Sequence, residues 1–127
     1  MRTILLAATL LAALSPASAA ERLAGPFDAH VLRVIDGDTF VARIPVWLGL
    51  DVTVSVRLRG IDTAELRGPC PGQAQAARDL LSGLLATGPI RLTDITHDKY
   101  AGRVNAKVRL ADGQDASEVI GAEKQCR

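Results

Sequence analysis

Net charge is almost missing from this chain: 15 basic residues stand against 14 acidic ones in 127, a formal charge of +1. A polyanion partner is therefore not announced by bulk charge, and any nucleic acid has to be held by a local cluster of arginines. Cysteine is scarce, and its two occurrences, Cys70 and Cys126, fit no zinc spacing. Beyond residue 20 there is no long apolar run, so nothing there is expected to span a bilayer. Internal repeats and low-complexity stretches are also lacking after that point.

The single apolar run, Ile4 to Leu14, sits inside "MRTILLAATLLAALSPASAA", between Arg2 and a stretch of small residues. That is the layout of a secretory signal cut near Ala19 or Ala20, and the run is well short of the roughly 20 residues of a spanning helix. The expectation is a signal peptide over 1–20, one domain over 21–127 and a secreted or periplasmic location. Roughly 107 residues suffice for one small domain and not two. Losing Arg2 with the signal leaves 14 basic and 14 acidic residues, no net charge. In an oxidising compartment Cys70 and Cys126 are expected to pair, the alternative being two free thiols. Such a bridge closes a loop of about 55 residues, worth roughly 4 kcal/mol in the chain-entropy model.

Strand patterning dominates the remainder. "HVLRVI", "TFVARI" and "VTVSVRLRGI" are rich in β-branched residues and bounded by Gly, Pro or Asp. In the third, Val52, Val54, Val56 and Leu58 alternate with Thr53, Ser55, Arg57 and Arg59, which predicts one buried face and one face bearing arginines. "QAQAARDLLSGLLA" then sets Ala77, Leu80, Leu81, Leu84 and Leu85 at helical spacing, and Gly88 and Pro89 end it. Two further strands follow, "IRLTDI" and "RVNAKVRL", the last with Arg103, Asn105, Lys107 and Arg109 on one face. A short helix is expected in "DASEVIGA", capped by Asp115 or Ser117. The predicted fold is mainly β within the α+β class: a five-stranded OB-type Greek-key barrel with a helix between strands 3 and 4.

Two stretches place acids where a strand gives way to a turn, "VIDGDTF" at 34–40 and "RGIDTAE" at 59–65. Each alone is compatible with ordinary turn chemistry. Together they offer the carboxylate and carbonyl oxygens that a hard cation such as calcium takes. Arg57 and Arg103 add guanidinium groups, which hold phosphate oxygens in a planar fork. Cation, arginines and a free carboxylate are the equipment of phosphodiester hydrolysis, neutralising charge at phosphorus while a water is positioned or deprotonated.

"IDGDT", then R-x-x-x-x-D-T-x-E as Arg57 to Glu65, then "DKY" followed by Arg103 stand in an order and near a spacing that resembles the staphylococcal nuclease, or thermonuclease, family, from about His30 to Glu118. The resemblance implies a calcium-dependent, largely sequence-nonspecific nuclease acting on DNA and RNA, favouring single strands, working as a monomer and leaving a 3′-phosphate. By the same resemblance Asp38 and Asp62 bind calcium and Thr63 adds its backbone carbonyl. Glu65 acts on the attacking water, Arg57 and Arg103 grip the phosphate, and Lys99 and Tyr100 contact the neighbouring phosphate and sugar. Ala64 replaces a common proline, and "DKYAGR" is one residue longer than the "DKYGR" form. The same barrel without catalysis, as a binding module for single strands or oligosaccharides, is the alternative, and a disulfide-stapled structural protein is a third. Trp47 reads as a hairpin cap or a base-stacking platform, His30 and His97 as strand-end residues, Arg59 and Arg67 as solvated or ion-paired, and Asp36 as a support for the calcium ligands.

Overall fold

The computed structural model describes residues 21–121. The expected signal segment, 1–20, and Cys126, the expected partner of Cys70, lie outside them. The elements are β1 (Arg22–Leu23), β2 (Phe27–Asp36), β3 (Thr39–Trp47), β4 (Leu50–Leu58), α1 (Pro71–Leu85), β5 (Ile90–His97), β6 (Arg103–Arg109) and α2 (Ala116–Gly121). The sheet runs β1-β5-β2-β3-β4-β6, and a β5–β6 pairing closes it into a barrel of five strands with β1 as an appendage on β5. The chain is thus mainly β, with a closed barrel consistent with the OB type.

Two expectations need correction. There are six strands, because Arg22–Leu23 pairs with Thr96 and Ile95. The helix consequently lies between the fourth and fifth strands, although within the barrel proper it still follows β2, β3 and β4. A two-residue strand carries no periodicity, so only its partner could reveal it.

Alternation places the core. Val56 and Leu58 of β4, and Ala106 and Val108 of β6, are buried, as are Phe40, Ala42 and Ile44 of β3. Leu81 and Leu85 of α1 and Ile120 of α2 join the same cluster, with Leu80 and Leu84 packed against it. Each fully buried side chain of this size is worth about 1.5–3 kcal/mol. Pro71 opens α1, where its missing N–H costs nothing. Asp115 caps α2, its carboxylate accepting the Ser117 N–H at 2.8 Å.

Closure depends on irregularities. The β2–β3 register shifts between Val31 and Arg33 and again between Val34 and Asp36, and β5–β6 shifts between Thr93 and Thr96. Extra residues of this kind bend strands and increase their twist. At the last of them Asp94 takes φ 53°. β4 and β6 then meet in parallel, setting Arg57 beside Asn105 and Ser55 beside Arg103. Among the described residues no helix is long and apolar enough to cross a membrane.

Candidate functional site

The β2–β3 turn is built by its own acids. Asp36 Oδ1 accepts the Asp38 N–H at 3.1 Å, which folds the chain through Gly37 and back into β3 at Thr39. A Cβ on Gly37 would stand 2.5 Å from the Ala77 Cβ and 2.8 Å from Thr63 Oγ1, so only glycine lets this turn press against both α1 and the loop after β4. That contact brings two stretches of sequence together. The Thr63 N–H donates to Asp38 Oδ2 at 3.2 Å, and Thr39 Oγ1 donates to Asp38 Oδ1 at 2.8 Å.

Arg57 follows from strand alternation. Val56 and Leu58 point inward, so its guanidinium stands outside, 3.7 Å from Asp38 Oδ2 and 3.3 Å from Asp62 Oδ1. It bridges the two carboxylates expected to bind calcium. On the far wall the β5–β6 connection turns at Gly102, where φ is +77°. The Asp98 N–H then donates to the Arg103 carbonyl at 3.1 Å, and Arg103 enters β6 facing the same space. Its Nε donates to Asp98 Oδ2 at 2.6 Å, and its guanidinium lies 4.8 Å from the centre of the Tyr100 ring, with the Lys99 ammonium at 5.1 Å.

All eight expected site residues, Asp38, Arg57, Asp62, Thr63, Glu65, Lys99, Tyr100 and Arg103, line one cavity of about 390 Å³. Asp36, Thr39 and Asp98 complete its lining. Asp98 was missed as a site residue, though it opens the "DKY" motif five positions before Arg103. Burial works against its charge, but the Arg103 guanidinium, the Tyr100 N–H and Asn105 outweigh that and hold its carboxyl below the usual 3.8. Asp36 goes the other way: burial first, and then the adjacent Asp38 carboxylate, push it from 3.8 to about 6. Glu65 is exposed, with no hydrogen bond or ion pair to its carboxylate among the described residues.

The donor chemistry suits a hard cation, for Asp38, Asp62 and the Thr63 carbonyl offer only oxygen. Among the described residues no group of three or more His, Cys, Asp or Glu is arranged to hold a metal, so water or substrate has to supply most of any coordination shell. Thr63 Oγ1 is buried here with no hydrogen-bond partner.

Other candidates fall elsewhere. Trp47 is 76 % exposed at the tip of the β3–β4 hairpin, at the opposite end of β3 from Thr39. His97 meets Glu21 at 3.1 Å, and neither it nor His30 lines the cavity. Arg59 is ion-paired, its Nε 3.4 Å from Asp94 Oδ2, and its NH2 group donates to the Asp94 carbonyl at 2.9 Å and to Thr96 Oγ1 at 2.6 Å. Comparison with models of known families and with curated proteins gives no match.

Proposed function

We propose that this chain is a nuclease of the staphylococcal type, hydrolysing phosphodiester bonds of DNA and RNA with calcium as cofactor, on an OB-type Greek-key barrel. The observation that carries this reading is that residues from the β2–β3 turn, β4, the loop after it and the β5–β6 connection converge on one cavity. Nothing in barrel stability asks for that convergence, since most of these side chains lie outside the core.

The chemistry divides among this chain's own groups. Arg57 and Arg103 present guanidinium forks to a phosphate from two walls, where they stabilise charge that grows in the transition state. Asp98 holds Arg103 by its Nε and leaves the terminal nitrogens for a ligand. Glu65, exposed and unpaired among the described residues, is the carboxylate free to orient a water or take its proton. Asp38, Asp62 and the Thr63 carbonyl would hold calcium, which when bound neutralises phosphate charge and lowers the pKa of coordinated water. Arg57 contacts both Asp38 and Asp62. Were Asp38 and Asp62 to hold calcium, this guanidinium would be the group left available to substrate. Lys99 and Tyr100 stand on the same wall as Arg103, placed for the neighbouring phosphate and sugar.

The test is initial cleavage of single-stranded DNA and RNA with calcium, with chelator, and by two variants. Glu65→Gln keeps shape and loses charge; Arg57→Lys keeps charge and loses the fork. Each is expected to lower kcat on the order of 10² or more while single-strand affinity in chelator changes little. Cleavage that survives chelation, or variants that cut as fast as the parent, would remove the nuclease reading and leave a binding barrel.

A further inference from the structure

Charge is unevenly placed in a molecule that has almost none overall. Between residues 21 and 121 there are 12 basic and 13 acidic side chains. In the cavity five carboxylates, Asp36, Asp38, Asp62, Glu65 and Asp98, face only three cations, Arg57, Lys99 and Arg103. Such a cavity repels a phosphodiester chain at range, so affinity for a polyanion has to come from beside it.

The outer face of β6 and β5 adjoins the cavity and has the opposite sign. Ala106, Val108 and Leu110 are buried, which turns Arg103, Lys107 and Arg109 outward. The row begins in the cavity at Arg103 and, at about 3.3 Å per residue, reaches Arg109 roughly 20 Å away. Arg91 of β5 is paired directly opposite Arg109, and Thr93 opposite Lys107. Arg59 lies across β6, reaching the Asn105 carbonyl at 3.3 Å as well as Asp94. Arg22 of β1 meets the same Asp94, and Arg91 meets Asp28 at 3.4 Å.

Two carboxylates thus serve three arginines on this face and Asp98 serves Arg103, while Lys107 and Arg109 have no carboxylate partner among the described residues. Lys107 makes no ion pair among the described residues, and Arg109 donates only to the Gly113 carbonyl at 2.8 Å. Asp115 bridges Arg109 through the backbone, but its carboxylate is turned to cap α2. Like charges set directly opposite on neighbouring strands repel, and an anion laid between them relieves that repulsion.

We propose that this face, from Arg103 through Lys107 to Arg109 and Arg91, is a track that carries the phosphodiester backbone of a single-stranded nucleic acid into the cavity. The proposal rests on the reading of the cavity as a phosphodiesterase site. A basic groove following one backbone is how barrels of this kind hold single strands, over about 4–16 nucleotides each. The row is one to two strands wide, with about 5 Å between neighbours, which suits one backbone rather than the two of a duplex.

The experiment compares the parent with Lys107→Gln, Arg91→Gln, the double variant, and Arg43→Gln as control. Arg43 is an exposed arginine of β3, two strands from β6 in the closed barrel. Probes are labelled oligothymidylate and oligouridylate of roughly 20 nucleotides, longer than one barrel covers. Affinity is measured against salt in chelator, and kcat/KM is measured in calcium on the long probes and on a trinucleotide. Each track substitution is expected to reduce the slope of log affinity against log salt by about 0.7, and the double variant to raise Kd for the long probes roughly tenfold at low salt. Trinucleotide cleavage should not change, nor should Arg43→Gln alter the slope. An unchanged slope in the double variant, an equal fall in Arg43→Gln, or a loss confined to one of the two sugars overturns the track, whether or not the protein cleaves. A parent that binds with the expected slope and cleaves nothing removes the nuclease reading and leaves the track standing.

Discussion

Replacing Arg59 with alanine tests how the barrel is held closed. The side chain leaves the end of β4, crosses β6 and reaches β5, donating from NH2 to the Asp94 carbonyl at 2.9 Å, Thr96 Oγ1 at 2.6 Å and the Asn105 carbonyl at 3.3 Å. Its Nε stands 3.4 Å from Asp94 Oδ2, and the side chain is 29 % exposed. Hydrogen bonds from a charged group contribute about 1.5–3 kcal/mol each when both partners are protected from water. Two factors reduce the sum here. One amino group is shared among three acceptors, and Asp94 keeps Arg22 as a partner after the substitution. A net loss of about 2 kcal/mol remains. For a domain of about 100 residues that corresponds to a fall in Tm of about 10 °C. Circular dichroism melts and urea titrations of residues 21–127 measure it, with an unchanged m-value showing that only stability moved. Arg59→Lys should fall between parent and alanine, because an ammonium keeps the Asp94 pair without reaching three acceptors. A destabilisation under about 0.5 kcal/mol, the ordinary range for surface substitutions, would refute the reasoning.

Gly37→Ala places a methyl group against Ala77 and Thr63 in a backbone that alanine can adopt, so overpacking alone is at work, and a loss of about 1–3 kcal/mol in urea unfolding is expected. Because Asp36 is raised to about 6 in the folded chain from 3.8, the native state binds the extra proton, and stability from this group falls as pH rises from about 4 to 6. Asp36→Asn should therefore gain Tm relative to the parent across that window in chelator, and parallel Tm curves would contradict it. Asp98 is lowered from 3.8, so its contribution is present above that pH and is lost as acid protonates it; Asp98→Asn should narrow the acid-side loss of stability and also lower cleavage by releasing Arg103.

Much of the barrel was legible along the chain because strand alternation and helical spacing are local signals. Val56 and Leu58 inside with Arg57 outside, Ala77, Leu81 and Leu85 on one side of α1, and Asp36 shaping a tight turn all follow from a residue and its near neighbours. The residues that line the cavity were also nameable in sequence, since motif order survives without coordinates. What the order of residues could not supply is anything that depends on a partner far away. The strand Arg22–Leu23 exists through its pairing with β5, and Gly37 is required because α1 arrives there. The bridging of Asp38 and Asp62 by Arg57 needs the β2–β3 turn pressed against the loop after β4. Arg59 looked equivalent to Arg57 on the same strand face, yet one meets the cavity and the other ties β4 to β5. The parallel β4–β6 pairing decides between them: it sets Asn105 beside Arg57 and carries Arg59 over toward Asp94, a distinction of register that no local pattern encodes.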